Sequence, residues 1–153
     1  MRLLLDTHLL LWAAGEPRRL SRKARAAIAD PGNVLHFSAA SIWEVAIKSS
    51  LGRADFQVDA VQLLRGLVGN GYEELPVTGR HAAEVALLPD LHADPFDRML
   101  VAQAQLEDLT GRVHVANRHP DKAGRDPAAR DLHRVRIGAG AAGITLARAF
   151  AGT

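Results

Sequence analysis

The stretch Arg2-Leu3-Leu4-Leu5-Asp6-Thr7-His8 decides the fold. Arg2 to Leu5 is a short apolar run, too short for a helix and suited to a strand buried on both faces. Beyond Asp6 and Thr7, the pattern Leu9, Leu10, Trp12, Ala13 predicts a helix that ends at Gly15-Glu16-Pro17. An aspartate therefore stands at the carboxyl end of a buried strand, where the chain turns into a helix.

Working outward, the same unit returns. Ser21 caps a helix through Ala29, stopped by Asp30-Pro31-Gly32. Val34 to Phe37 is a second short strand. Ser38 then opens a helix whose apolar positions Ala39, Ile42, Trp43, Ala46 and Ile47 are expected to form its buried stripe, ending at Gly52. Asp59 caps a helix to Val68, and Glu73 to Val77 is a third strand, with Pro76 marking an edge position or an early end. Thr78 caps a helix through Leu88, and Asp94-Pro95 starts another through Leu106. Strands alternating with helices predict an α/β fold: a mainly parallel sheet covered by helices on both faces, in three layers.

Composition agrees with one folded unit and then divides the chain. Among 153 residues, 48% are apolar and 24% charged, enough to bury a core. The absence of cysteine excludes disulfides, thiolate zinc sites and a cysteine nucleophile. A net charge of +2 conceals two unlike parts. Residues 1–110 hold 11 Lys/Arg against 14 Asp/Glu, whereas residues 111–153 hold 8 against 3. Val113 and Val115 alternate with polar neighbours, so Arg112 to Ala116 is a candidate fourth strand. From Arg118 to Arg134 no apolar period is present, and that segment is expected to lack packed elements.

Three tempting features carry no function on this reading. The leucines at the N-terminus suggest a secretory leader, but Asp6-Thr7-His8 cuts the apolar run; a cytoplasmic protein with no membrane association is expected. Gly138-Ala139-Gly140-Ala141-Ala142-Gly143 spells a dinucleotide-binding fingerprint, but no acidic residue and no second strand follow it. His114, His119 and His133 lack the tight spacing of a zinc site. The arginines of the basic tail either hold RNA phosphates or form a solvated extension without a role.

Three acids stand in unusual places. Asp6 is either a helix cap or a ligand at the carboxyl edge of the sheet, where binding sites of parallel sheets gather. Glu44 either closes a capping box with Ser41 or, if the helix begins at Ser38, sits inside it beside the apolar stripe. Asp97 is a first-turn acid that shares the face of Leu100, Val101 and Ala104, with Arg98 and Gln105 assigned to the outer face. Taken together, the three positions can meet at one sheet edge. Oxygen ligands without Cys or clustered His favour Mg²⁺ or Mn²⁺, which suit phosphodiester hydrolysis.

Leu3-Leu4-Leu5-Asp6-Thr7-His8, Ser38-Ala39-Ala40-Ser41-Ile42-Trp43-Glu44-Val45-Ala46-Ile47-Lys48 and Asp94-Pro95-Phe96-Asp97-Arg98-Met99-Leu100-Val101-Ala102-Gln103-Ala104 appear in that order. Together they closely resemble the PIN-domain toxins of the VapC type, found in bacterial toxin–antitoxin pairs. The similarity covers roughly residues 1–110, which suggests a PIN-like domain over 1–117 and an atypical basic Ala/Gly/Arg-rich tail over 118–153. The resemblance implies an Mg²⁺- or Mn²⁺-dependent endoribonuclease that cleaves RNA, is held inactive by a cognate antitoxin protein and forms a homodimer. It implies that Asp6, Glu44 and Asp97 are the catalytic, metal-binding acids, that Asp94 is a cap, and that Thr7 and Ser38 orient the acids. The family usually has a fourth acid after a further strand; here Asn117 falls at that place, or the usual ending has been replaced. A catalytically weakened PIN-fold protein that binds antitoxin or RNA is the alternative this departure raises.

Overall fold

The computed structural model describes residues 1–90 and 93–109, with the backbone of 111–112. Among the described residues, four strands form one sheet: β1 (Arg2–Leu5), β2 (Val34–Ser38), β3 (Glu73–Leu75) and β4 (Gly111–Arg112), in the order β3-β2-β1-β4. All pairings are parallel, with Leu4 opposite His36 and His36 opposite Glu73. Around the sheet lie α1 (Thr7–Gly15), α2 (Arg22–Ala29), α3 (Ala39–Ser50), α4 (Ala60–Gly69), α5 (Gly79–Glu84) and α6 (Pro95–Leu106).

Alternation along β1 sets the layers. Leu3 and Leu5 point into a core shared with α1, α2, Val45 of α3, and Leu63 and Leu67 of α4. Leu4 points the other way, into a second core with Leu75, Leu100, Ala104 and Leu109. The apolar strand is thus covered on both faces, as its composition requires. Helix α1 packs between neighbours along nearly its whole length: Leu9 to Ala14 are all buried.

Local signals fix most helix starts. Ser21, Asp59, Thr78 and Asp94 each accept a hydrogen bond from a first-turn amide, as capping chemistry predicts. Strand β3 lies at the edge of the sheet and stops at Leu75, short of Val77, because Pro76 cannot continue the ladder. The helix predicted from Thr78 to Leu88 is α5 followed by a 3₁₀ turn at Val85–Leu87. The fourth strand is described only at Gly111–Arg112; Ala116, Asn117 and the whole tail from 118, including the domain boundary at 117, lie outside the described residues.

Helix α3 is turned relative to expectation. Ala40, Ser41, Glu44 and Val45 are buried, whereas Trp43, Ala46 and Ile47 face outward and Ala39 and Ile42 are half-buried. The apolar stripe read from the sequence is therefore not the inner face. The inner face instead carries two polar side chains, Glu44, which bonds to Thr7, and Ser41, whose hydroxyl has no hydrogen-bond partner among the described residues.

Candidate functional site

Asp6 ends β1 and caps α1. Its Oδ1 accepts from the Leu9 amide at 2.8 Å, and the residue is 5% exposed. Capping and burial at the sheet edge thus coexist in one side chain, and neither of the two readings of Asp6 excludes the other.

Glu44 lies in the second turn of α3, because the cap of that helix is Ser38, whose Oγ accepts from the Ala40 amide at 3.0 Å. The Ser41 capping box does not form. Glu44 is 4% exposed. A carboxylate so buried needs partners: Thr7 Oγ1 donates to Oε2 at 2.6 Å, and Lys48 Nζ donates to Oε1. Thr7 thus joins the residue after Asp6 to Glu44 and orients that acid, as the resemblance implies.

Ser38 plays a different part from the one expected. Its hydroxyl donates to Gln103 Oε1 of α6 at 2.6 Å rather than to an acid. Gln103 is fully buried, and its Nε2 donates to the carbonyls of Leu75 and Pro76 at 3.5 and 3.2 Å. One amide therefore fastens α6 to the carboxyl ends of β2 and β3. Nothing in a helical hydrophobicity pattern singles out Gln103; its only sequence signal is a polar residue amid Leu100, Val101, Ala102 and Ala104.

Asp97 is half-buried in the first turn of α6, its amide donating to the Asp94 cap at 3.2 Å. Helices α3 and α6 meet where Trp43 and Phe96 pack edge to face at 5.5 Å. Those rings immediately precede Glu44 and Asp97 in sequence. Arg98 is not an outer-face residue: its guanidinium donates to the carbonyls of Val85, Leu88 and Pro89 at 3.0 to 3.2 Å. It closes the segment that leads into α6.

Asp6, Glu44 and Asp97 therefore stand on three elements that start at the carboxyl ends of strands or just before α6. Their hard oxygen chemistry suits a divalent cation. Among the described residues, however, no group of three or more His, Asp or Glu side chains is drawn together to hold a metal ion. Among those same residues, no helix is long and apolar enough to cross a membrane.

The sequence matches the PIN domain family over residues 3–134. The chain belongs to the PIN domain family. PIN domains are generally metal-dependent nucleases, which makes this member a nuclease at the level of the family. No curated protein and no solved structure matches the sequence. The α/β sandwich with its parallel sheet is the fold expected of a PIN domain.

Proposed function

We propose that this PIN-domain chain is the toxin of a toxin–antitoxin pair of the VapC type, a cytoplasmic endoribonuclease that hydrolyses RNA phosphodiester bonds. The observation that carries the reading is the Thr7 hydrogen bond linking the Asp6 turn to the buried Glu44 carboxylate. Burying the carboxylates of Asp6 and Glu44 is costly for a fold unless the positions serve chemistry. Asp6 and Asp97, with Glu44 directly or through water, would hold Mg²⁺ or Mn²⁺. When bound, such an ion supplies an activated water and polarises the phosphoryl oxygen. The chain's own work is to orient the acids: Thr7 fixes Glu44, Gln103 fixes the helix that carries Asp97, and α1 is capped by Asp6.

A cognate antitoxin that covers the acidic edge and a homodimer are parts of the same proposal. The outward stripe Trp43, Ile47 and Leu51 on α3 supports a protein interface, since large apolar groups at successive turns are rarely left in water.

The test is Mg²⁺-dependent cleavage of RNA by purified protein, compared with Asp6→Asn. Asparagine still offers Oδ1 to the Leu9 amide, so the fold is kept while the charge is lost. Cleavage is expected to vanish; unchanged cleavage by Asp6→Asn overturns the assignment. The second reading, a weakened PIN-fold binding protein, is favoured by the lack of a three-acid cluster among the described residues. Micromolar Mn²⁺ binding in a calorimeter counts against it.

A further inference from the structure

We infer that Lys48 binds a phosphate oxygen of the substrate backbone and that Glu44 positions it. The inference rests on the nuclease reading for the identity of the ligand, RNA, and on geometry for the residue. Lys48 follows Glu44 by one helical turn and leans back along α3 to reach it. Both oxygens of Glu44 are taken by protein donors, one by Thr7 and one by Lys48. A carboxylate engaged at both oxygens holds its neighbours in place.

The pair is uneven in exposure: the glutamate side chain is 5% exposed and the lysine side chain 29%. An ordinary surface pair at this spacing leaves both groups in water and fixes neither. Here one partner is anchored in the interior, so the ammonium is held at the surface of the Asp6-Thr7 edge. It carries three donors, and Glu44 is its one hydrogen-bond partner among the described residues. The side chain's partial exposure leaves the ammonium accessible to a ligand. A phosphodiester approaching these acids meets like charge, and a cation fixed on Glu44 offsets that repulsion. Lysine acts toward phosphate as a point charge, which suits contact with a backbone of any sequence.

The experiment measures binding, apart from cleavage. Single-stranded RNA with a fluorescent end is titrated in Ca²⁺ with wild type, Lys48→Gln and Lys48→Arg, by anisotropy at several salt concentrations. Lys48→Gln is expected to bind roughly tenfold more weakly. Its plot of log affinity against log salt should be shallower by about 0.7, the release of one counterion from a single strand. Lys48→Arg should keep the wild-type slope. Because Lys48→Gln leaves a buried carboxylate without its cation, the loss is also read between Glu44→Gln and the double variant Glu44→Gln/Lys48→Gln, where no such charge remains. Equal affinity and slope in either comparison overturn the inference, as does a wild type that binds no RNA. A wild type that binds RNA through Lys48 but never cleaves it in Mg²⁺ removes the nuclease reading and leaves this one standing. Cleavage by a wild type whose Lys48→Gln form keeps full affinity does the reverse.

Discussion

The hydroxyl of Thr7 and the carboxylate of Glu44 lie 2.6 Å apart, in a buried contact between residues 37 positions apart in the chain. It ties the turn after β1 to the second turn of α3. Core packing sets how each helix sits on the sheet, and this bond adds a direct polar link between the start of α1 and the buried acid of α3.

Thr7→Val keeps the shape of the side chain and removes the donor. Glu44 Oε2 is then buried without that partner, a loss of about 1–3 kcal/mol. Urea unfolding should show the midpoint falling with an unchanged slope. Thr7→Ser, which retains the hydroxyl, should recover most of the difference. Wild-type stability in Thr7→Val would show that the bond contributes nothing.

Gln103→Leu removes the amide that fastens α6 to the sheet. The Pro76 carbonyl and the Ser38 hydroxyl each lose a partner. The leucine adds apolar bulk, but the orphaned groups dominate, and stability should fall by on the order of 2 kcal/mol. Nuclease activity should fall as well, because the helix that carries Asp97 loses its tether. Denaturant melts and an RNA cleavage assay on the same preparation check both parts; a stable variant with full activity contradicts the role of this amide.

Much of this was legible in the sequence because capping is a local affair. Ser21, Asp59, Thr78 and Asp94 announce their helices by residue type and spacing, and β1 announces burial by its unbroken run Leu3-Leu4-Leu5. The face of α3 was not legible. Its apolar residues Trp43 and Ile47 turn outward, and its inner face holds Ser41, Glu44 and Val45. A hydrophobicity pattern locates a helix but misplaces its face when the buried side includes a bonded carboxylate such as Glu44. Arg98 misled in the same way: a charged residue was expected in water, yet it neutralises three carbonyls. That Asp6 follows β1 and that Glu44 and Asp97 lie early in helices was foreseeable from the sequence; which donors hold each of them depends on distances that only the folded chain supplies.

Tyr72 makes alkaline pH informative. Burial pushes its phenol up from 10.0 to about 12, and its hydroxyl has no hydrogen-bond partner among the described residues. Below pH 10 the phenol is neutral in both folded and unfolded chains, so stability is unaffected there. Between about pH 10 and 12 the unfolded chain loses the proton first, and stability falls as pH rises. Tyr72→Phe should remove this contribution and, by deleting an unpaired hydroxyl, leave stability at neutral pH equal or higher. Unfolding midpoints from pH 9 to pH 12 would contradict the assignment if both proteins declined in parallel.

Trp43 is 63% exposed, and it continues into Ile47 and Leu51 along one side of α3. A symmetric dimer would bring that stripe onto its own copy. Trp43→Ser should shift the protein from dimer to monomer in light scattering at micromolar concentration, with little change in unimolecular stability, because most of the ring is already in water. A wild type that is monomeric across that range removes the homodimer from the proposal.

Asp94 and Asp97 stand three residues apart and should respond in opposite ways. Asp94 is exposed and accepts from the amides of Phe96 and Asp97 at 2.8 and 3.2 Å, so it serves the helix. Asp94→Ala should cost roughly 1 kcal/mol, the usual loss of an N-cap, and leave metal-dependent cleavage largely intact. Asp97 lies in the first turn of α6 and is half-buried. Its charge gains something from the helix dipole, so Asp97→Asn should cost no more than about 1 kcal/mol. Cleavage, however, should be abolished, because the amide cannot replace a carboxylate toward Mg²⁺. Melting curves and RNA cleavage on the two variants separate support of the helix from chemistry. The division of roles fails if Asp94→Ala is inactive while fully folded, or if Asp97→Asn cleaves at the wild-type rate.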